Sequence, residues 1–198
     1  MKLKTINPAT EEVLAEYEIM TREQVNKAVK KSRTVFQEWK KDGHKRAGFL
    51  YAFADDLRKN KERLAKVATN EMGKAIKEAR SEVEKCAWVM EFYADHGAVF
   101  TNDEVVNTDA RKSFITFEPL GIIGSIMPWN FPYWQALRFA APSLMVGNTI
   151  VLKPASATLQ CGIEMAKAFR RVGLPVGVFQ TLVGDSSVAE ALIDCDVN

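Results

Sequence analysis

Histidine is scarce in this 198-residue chain, with only His44 and His96, so a zinc site of Cys and His ligands and a histidine-based triad have little to draw on. Cysteine is nearly as scarce. Cys86, Cys161 and Cys195 are odd in number and widely spaced, which fits reduced thiols rather than a disulfide framework, and no pair has metal-ligand spacing. No metal site is expected. No apolar run approaches the roughly 20 residues of a membrane span, and the opening Met1-Lys-Leu-Lys-Thr has no secretory hydrophobic region. These absences predict a cytoplasmic protein without a membrane partner. The GxGxxG fingerprint of dinucleotide-binding loops is missing as well.

A dominant charge sign is also lacking, since the net charge is only +2. Of the 52 Asp, Glu, Lys and Arg residues, 39 fall in residues 1–110 as 20 basic and 19 acidic. Such mixing suits solvated helix faces and gives no basic stripe for nucleic acid. Residues 111–198 hold six of the seven prolines and only 13 of those charges, so the core and the chemistry are expected there.

What is present reads clearly along the first half. Residues 4–20 alternate around the turn 8–12 as a β-hairpin. Thr21 and Gln24 form a capping box ahead of Val25, Ala28, Val29, Ser32, Val35, Phe36 and Trp39 at helical spacing, with Lys27, Lys30, Lys31 and Arg33 as the solvated face. A second helix over 44–59 buries Leu50, Phe53, Ala54 and Leu57, and a third runs from Lys61 to a C-cap at Gly73. A fourth over 74–97 repeats Ala75, Ala79, Val83, Cys86, Ala87, Met90 and Tyr93 on one face, with Glu78, Glu82, Glu84 and Glu91 largely off it. Trp88, Phe92 and Tyr93 read as packing rather than a ligand cage, and His96 as a favourable cation at a helix end. Residues 105–117 turn extended and are expected as a strand outside the main sheet.

The chain is organised around residues 120–132. Ile122, Ile123, Ile126 and Met127 lack helical spacing, and Gly121 and Gly124 disfavour a helix, so a strand buried on both faces is expected, stopped by Pro128. Asn130 sits between Pro128 and Pro132, which restrict the local backbone and hold its carboxamide, a neutral donor suited to a developing oxyanion. Pro132 then opens a helix to about Leu144, bent near Pro142. A strand over 149–152 closes on Lys153-Pro154, a helix over 158–171 buries Leu159, Ile163, Ala166 and Phe169, and a strand over 178–183 leads through Gly184-Asp185-Ser186 to a last helix over 187–195. This alternation predicts an α/β fold with a doubly wound parallel sheet. Right-handed crossovers put the loops 128–130, 153–156 and 184–186 on one edge, where an amide, an ammonium, hydroxyls and helix N-termini favour an anionic group.

Pro128-Trp-Asn-Phe-Pro132 resembles the signature by which aldehyde dehydrogenases place their oxyanion-hole asparagine. The resemblance extends through Glu118-Pro-Leu-Gly121, Ala141-Pro-Ser-Leu144 and Gly147-Asn-Thr-Ile-Val-Leu-Lys-Pro-Ala155, and more loosely from Asn7-Pro-Ala-Thr10 over nearly the whole chain. It is closest to the succinate-semialdehyde and glyceraldehyde branch. It implies the N-terminal part of the aldehyde dehydrogenase fold, with helices and an incomplete Rossmann-like sheet. Residues 1–198 are then a cofactor-binding region truncated in mid-domain, residues 105–117 part of the arm through which subunits pair as dimers or tetramers, and the catalytic domain is absent.

The resemblance also implies NADP or NAD, bound without the fingerprint against Met127, Pro128, Trp129, Asn130, Lys153, Pro154, Ala155, Ser156 and Ser186. Lys153 matches the lysine at the adenosine ribose, and Trp129 belongs to the wall of the cofactor path. Ser156 stands where many NAD-preferring members have glutamate, which favours NADP; a helix N-cap is its other reading. Arg138, eight residues past Asn130, matches the arginine that meets the carboxylate in succinate-semialdehyde dehydrogenases, against the alternative of a structural ion pair. Its apolar neighbours Phe139, Ala140 and Ala141 make an unpaired charge there costly.

Family chemistry needs a cysteine in a Gly-Gln-x-Cys context and a glutamate base, and neither motif is present. The implied reaction is oxidation of a small aldehyde, such as succinate semialdehyde, to its acid by the complete enzyme, the 198 residues alone being inactive. Alternatives are glyceraldehyde or another short aldehyde, a non-catalytic dinucleotide-binding or assembly module, and an acyl-phosphate reductase on the same fold.

Overall fold

A computed structural model describes residues 2–198, so that Met1 lies outside it. The chain opens with the expected hairpin, β1 (Lys2–Ile6) antiparallel to β2 (Val13–Glu18). Helix α1 (Arg22–Trp39) starts at the reciprocal cap: Gln24 N donates to Thr21 Oγ1 at 3.3 Å and Thr21 N to Gln24 Oε1 at 2.8 Å. Two orphan donors of the first turn are thereby satisfied. α2 (Gly43–Lys59), α3 (Lys61–Met72) and α4 (Ile76–His96) then form a helical layer through Leu50, Phe53, Leu57, Leu64, Val83, Cys86 and Met90. Gly73 ends α3 with a φ of 73°, the left-handed C-cap that a side chain would strain.

Two expectations about α4 are corrected. Glu82, placed off the apolar face by periodicity, is buried, because a partner outside the helix neutralises it. Trp88 is 57 % exposed and Phe92 sits at the surface with it, since they occupy a stripe turned away from α2 and α3, where Phe92 stacks on His96 at 4.7 Å between ring centroids. Only Tyr93 of the three aromatics packs against the core. The single strand expected over 105–117 is instead a short hairpin, β3 (Glu104–Val105) antiparallel to β4 (Phe114–Ile115), outside the main sheet as anticipated. The intervening turn is closed by Thr108 and Ser113, whose hydroxyls lie 2.7 Å apart.

The main sheet is parallel, with β5 (Ile122–Ile126), β6 (Thr149–Lys153) and β7 (Phe179–Thr181) in that order. Each strand feeds a helix: α5 (Trp134–Met145), α6 (Leu159–Arg171) and α7 (Ser186–Ile193). Ile150, Leu152 and Phe179 bury one face against α5, α6 and the helical layer, while Ile122, Val151 and Leu182 bury the other against α1 and α7. Helices on both faces make the sheet doubly wound.

Central β6 is buried throughout, but β5 is not the doubly buried strand expected, for Ile126 is exposed. The outer edge of β5 is met by Asn198, which donates its N–H to Ile122 O at 2.8 Å and accepts from Gly124 N at 2.9 Å in the parallel sense. α5 begins at Trp134, two residues past Pro132, although Phe131 O already accepts from Gln135 N at 2.9 Å. Pro142 lies inside it. α6 is preceded by a 3-10 turn, Ser156–Thr158, and buries Cys161, Met165 and Ala168 with Leu159 and Phe169; Ile163 and Ala166, expected in the core, are half-buried on its flank.

Candidate functional site

The three strand-to-helix loops are stitched together. Met127 N donates to Lys153 O at 3.1 Å, extending the β5–β6 ladder by one residue so that the first two loops leave the sheet side by side. Ser156 Oγ donates to Gly184 O at 3.4 Å and ties the second loop to the third. The expected edge therefore forms, and it holds Met127, Pro128, Trp129, Asn130, Lys153, Pro154, Ala155, Ser156 and Ser186 at the ends of the three strands.

Asn130 is exposed, and among the described residues its carboxamide has no hydrogen-bond partner. Its neighbours, in contrast, are held firmly. Tyr133 is 1 % exposed and donates its hydroxyl to Leu64 O at 3.0 Å. The amides of Tyr133 and Trp134 both donate to Glu82 Oε1 at 2.9 Å, and Glu82 pairs with Lys74. The Lys74 ammonium lies 3.9 Å from the centroid of the Phe131 ring. Asn130 thus projects a free donor from an anchored backbone. Trp129 stands beside it, largely in solvent.

Lys153 is buried at the end of β6 and has no ion-pair partner among the described residues. Burial depresses its pKa, and the nearby Asp185 carboxylate partly restores it. Such a buried cation, only partly compensated by Asp185, fits an anionic group at this edge. Pro154 is held by a close approach of α6: a Cβ on Gly162 would lie 2.6 Å from Pro154 Cγ. Ser156 is half-buried and does not cap α6, so its N-cap reading is not realised. Ser186 is exposed at the first turn of α7.

The helix N-termini do not behave as expected. Buried Glu71, reaching from α3, accepts from Gln160 N at 2.6 Å and Cys161 N at 2.9 Å and so takes the start of α6. Glu82 takes the start of α5, and Asp185 accepts from Ser187 N at 3.0 Å at the start of α7. All three ends already hold a carboxylate, which leaves Lys153 rather than free helix ends as the attraction for an anion. Burial pushes the Glu71 carboxyl up to about 7, against the pull of the two amide bonds. Sequence reasoning missed Glu71, Glu82, Lys74 and Asp185. Only the Asp185-x-Ser187 spacing carried a local signal, that of a helix cap.

Arg138 corrects an expectation too. Its side chain is exposed although Leu137, Ala140, Ala141 and Leu144 of the same helix are buried, so it does not pay the burial cost anticipated from its apolar neighbours. It has no ion-pair partner among the described residues. The thiols are unsuited to nucleophilic work, because burial raises the pKa of Cys86 and Cys161 strongly and that of Cys195 as well. Among the described residues, no group of three or more His, Cys, Asp or Glu is placed to hold a metal, and no helix is long and apolar enough to cross a membrane.

A parallel, doubly wound sheet with three stitched loops at its carboxyl edge defines an α/β protein of the Rossmann-like kind. The chain belongs to the aldehyde dehydrogenase family, whose model matches residues 1–197. It is 43 % identical over 197 residues to a probable succinate-semialdehyde dehydrogenase [NADP(+)] of Synechocystis, an alignment covering 99 % of this chain and 43 % of that relative. It is also similar to the crystal structure of succinic semialdehyde dehydrogenase from Streptococcus pyogenes in complex with NADP+, with a TM-score of 0.93, 29 % identity and coverage of 98 % and 43 % of the two chains. For lactaldehyde dehydrogenase from Escherichia coli the TM-score is 0.92, the identity 30 % and the coverage 97 % and 41 %. The chain spans less than half the length of the curated relatives it matches.

Proposed function

We propose that the whole protein oxidises a short, acid-bearing aldehyde, of which succinate semialdehyde is the type, to the dicarboxylic acid with NADP as oxidant. The observation that carries this reading is the carboxamide of Asn130, without a hydrogen-bond partner among the described residues, on an anchored loop at the same sheet edge as the buried cation Lys153, which has no ion-pair partner among them. The names of the similar proteins point the same way.

In this reading Asn130 donates an N–H to the aldehyde oxygen as that oxygen gains charge under nucleophilic attack. A neutral amide held by its neighbours needs little reorganisation when the charge develops. The three thiols of this chain remain protonated and structural, so the attacking thiolate comes from outside residues 1–198. Bound NADP supplies the hydride acceptor. Lys153 and Ser156 are the residues that would hold its adenosine ribose and 2′-phosphate, with Met127, Pro128, Trp129, Pro154, Ala155 and Ser186 as the surrounding wall. Serine at position 156 leaves room for the phosphate and adds no repelling charge. Arg138 offers a two-pronged guanidinium to the far carboxylate of the substrate. Residues 105–117 are the intersubunit arm of a homo-oligomer, a role in keeping with the exposed Val105, Phe114, Ile115 and Phe117.

The test is Asn130→Ala in the whole protein. Loss of one oxyanion donor lowers kcat by about 100-fold or more, while a kcat equal to wild type removes Asn130 from the mechanism.

A further inference from the structure

Asn130 holds nothing through its own side chain, yet the segment that carries it is clamped on both sides. Upstream, Met127 is bonded to Lys153 O. Downstream, three anchors follow within four residues: the Phe131 ring under Lys74, the Tyr133 and Trp134 amides on Glu82, and the Tyr133 hydroxyl on Leu64 O. Two of these three depend on one ion pair. The Lys74 and Glu82 side chains are 8 % and 1 % exposed, so both charges have left water.

We infer that the buried Lys74–Glu82 pair is the positioning device for Asn130, acting on the carboxamide through residues 131, 133 and 134 without touching substrate. α5 has no local side-chain cap. The carboxylate that substitutes for one reaches across from α4, which fixes the start of α5 to the helical layer. Lys74 neutralises that carboxylate and at the same time seats the aromatic ring next to Asn130. Stability alone does not call for such a pair, because replacing a buried ion pair by apolar side chains is often neutral or stabilising. Placement of a catalytic donor does, since a misplacement of about 1 Å costs on the order of 100-fold in rate.

The inference rests on the reading of Asn130 as oxyanion donor, and a double-mutant cycle in the whole protein separates the two. Glu82→Gln keeps the shape and one acceptor but loses the charge. It is expected to lower kcat by about 10- to 100-fold with the KM for aldehyde and cofactor nearly unchanged, the mark of an interaction made in the transition state. In an Asn130→Ala background the same change is expected to add almost nothing, because the group it positions is gone.

Glu82→Gln also leaves Lys74 buried without its counter-charge, so Phe131→Leu serves as the milder variant. Phe131 is partly exposed, and its loss removes only the ring seat, with an expected fall in kcat of about threefold, the scale of one cation–π contact, again only while Asn130 is present. Equal losses with and without Asn130, or lowered thermal stability with kcat of the folded protein unchanged, overturn the inference and leave the pair as a plain helix cap. A kcat unmoved by Asn130→Ala alone overturns the oxyanion reading, and the inference with it.

Discussion

At the scale of single residues, the proposed specificity rests on Ser156 and Arg138. A glutamate at position 156 would take the ribose hydroxyls and repel a 2′-phosphate through like charge. Ser156→Glu in the whole protein is therefore expected to move the ratio of kcat/KM for NADP over NAD toward NAD by about tenfold or more, the scale of one charge-assisted hydrogen bond; an unchanged ratio counts against Ser156. The guanidinium of Arg138 is exposed and without an ion-pair partner among the described residues, as the proposed role at an anionic substrate end requires. Arg138→Leu should abolish the preference for an acid-bearing semialdehyde over an uncharged aldehyde of equal length, leaving the uncharged one nearly unaffected. Equal loss on both substrates would make Arg138 structural. The placement of Asn130 and Lys153 at the carboxyl edge of the sheet was legible because the signals are local: prolines flanking an amide, and a lysine ending an apolar strand. Asp185 was not, since its relation to Lys153 arises only when β7 lies beside β6.

Secondary-structure elements were legible in existence and order, because apolar spacing of 3.6 and short apolar runs dominate local structure here. The hairpin, the capping box, the Gly73 stop and the parallel strands all formed where the pattern placed them. Long-range capping was illegible. Glu82 lies 51 residues from the Tyr133 amide it caps, and Glu71 lies 89 residues from Gln160; no spacing rule reaches so far.

Glu71 makes its element testable by pH. Its folded-state carboxyl, pushed by burial to about 7, lies above the ordinary 4.5 of a glutamate, so between those values the folded protein holds a proton that the unfolded chain has lost. Stability then falls as pH rises through that window, by on the order of 3 kcal/mol at most. The depressed carboxyls of Glu16, Glu62, Glu84, Glu91, Glu164 and Asp185 act with the opposite sign and only at lower pH. Urea midpoints at pH 5 and pH 7.5 should show the decline in wild type and a flatter profile in Glu71→Gln. Parallel profiles would contradict the burial account of Glu71.

For the whole chain, the first 110 residues carry most of the charge and build a helical scaffold, and the remainder holds the main sheet. The core is not confined to residues 111–198 as the distribution of charge suggested, because Leu50, Phe53, Leu57, Leu64, Val83, Cys86 and Met90 of the scaffold are buried in one cluster with Leu137, Leu144, Ile150 and Phe169. The two halves meet where buried Glu71 and Glu82 of the scaffold take the starts of α6 and α5. The scaffold thereby sets the geometry of the sheet's carboxyl edge, and the absent GxGxxG fingerprint has a physical counterpart in helix ends already occupied by carboxylates. Large apolar side chains at Trp88, Phe100, Val105, Phe114 and Ile115 are exposed.

The proposed role of this edge is NADP-dependent oxidation of an acid-bearing aldehyde. Its most direct test is kcat/KM of the whole protein for succinate semialdehyde, measured with NADP and with NAD. The account predicts turnover with NADP favoured by about tenfold or more, the worth of one charge-assisted hydrogen bond; equal use of both cofactors, or no oxidation of the semialdehyde, would contradict it.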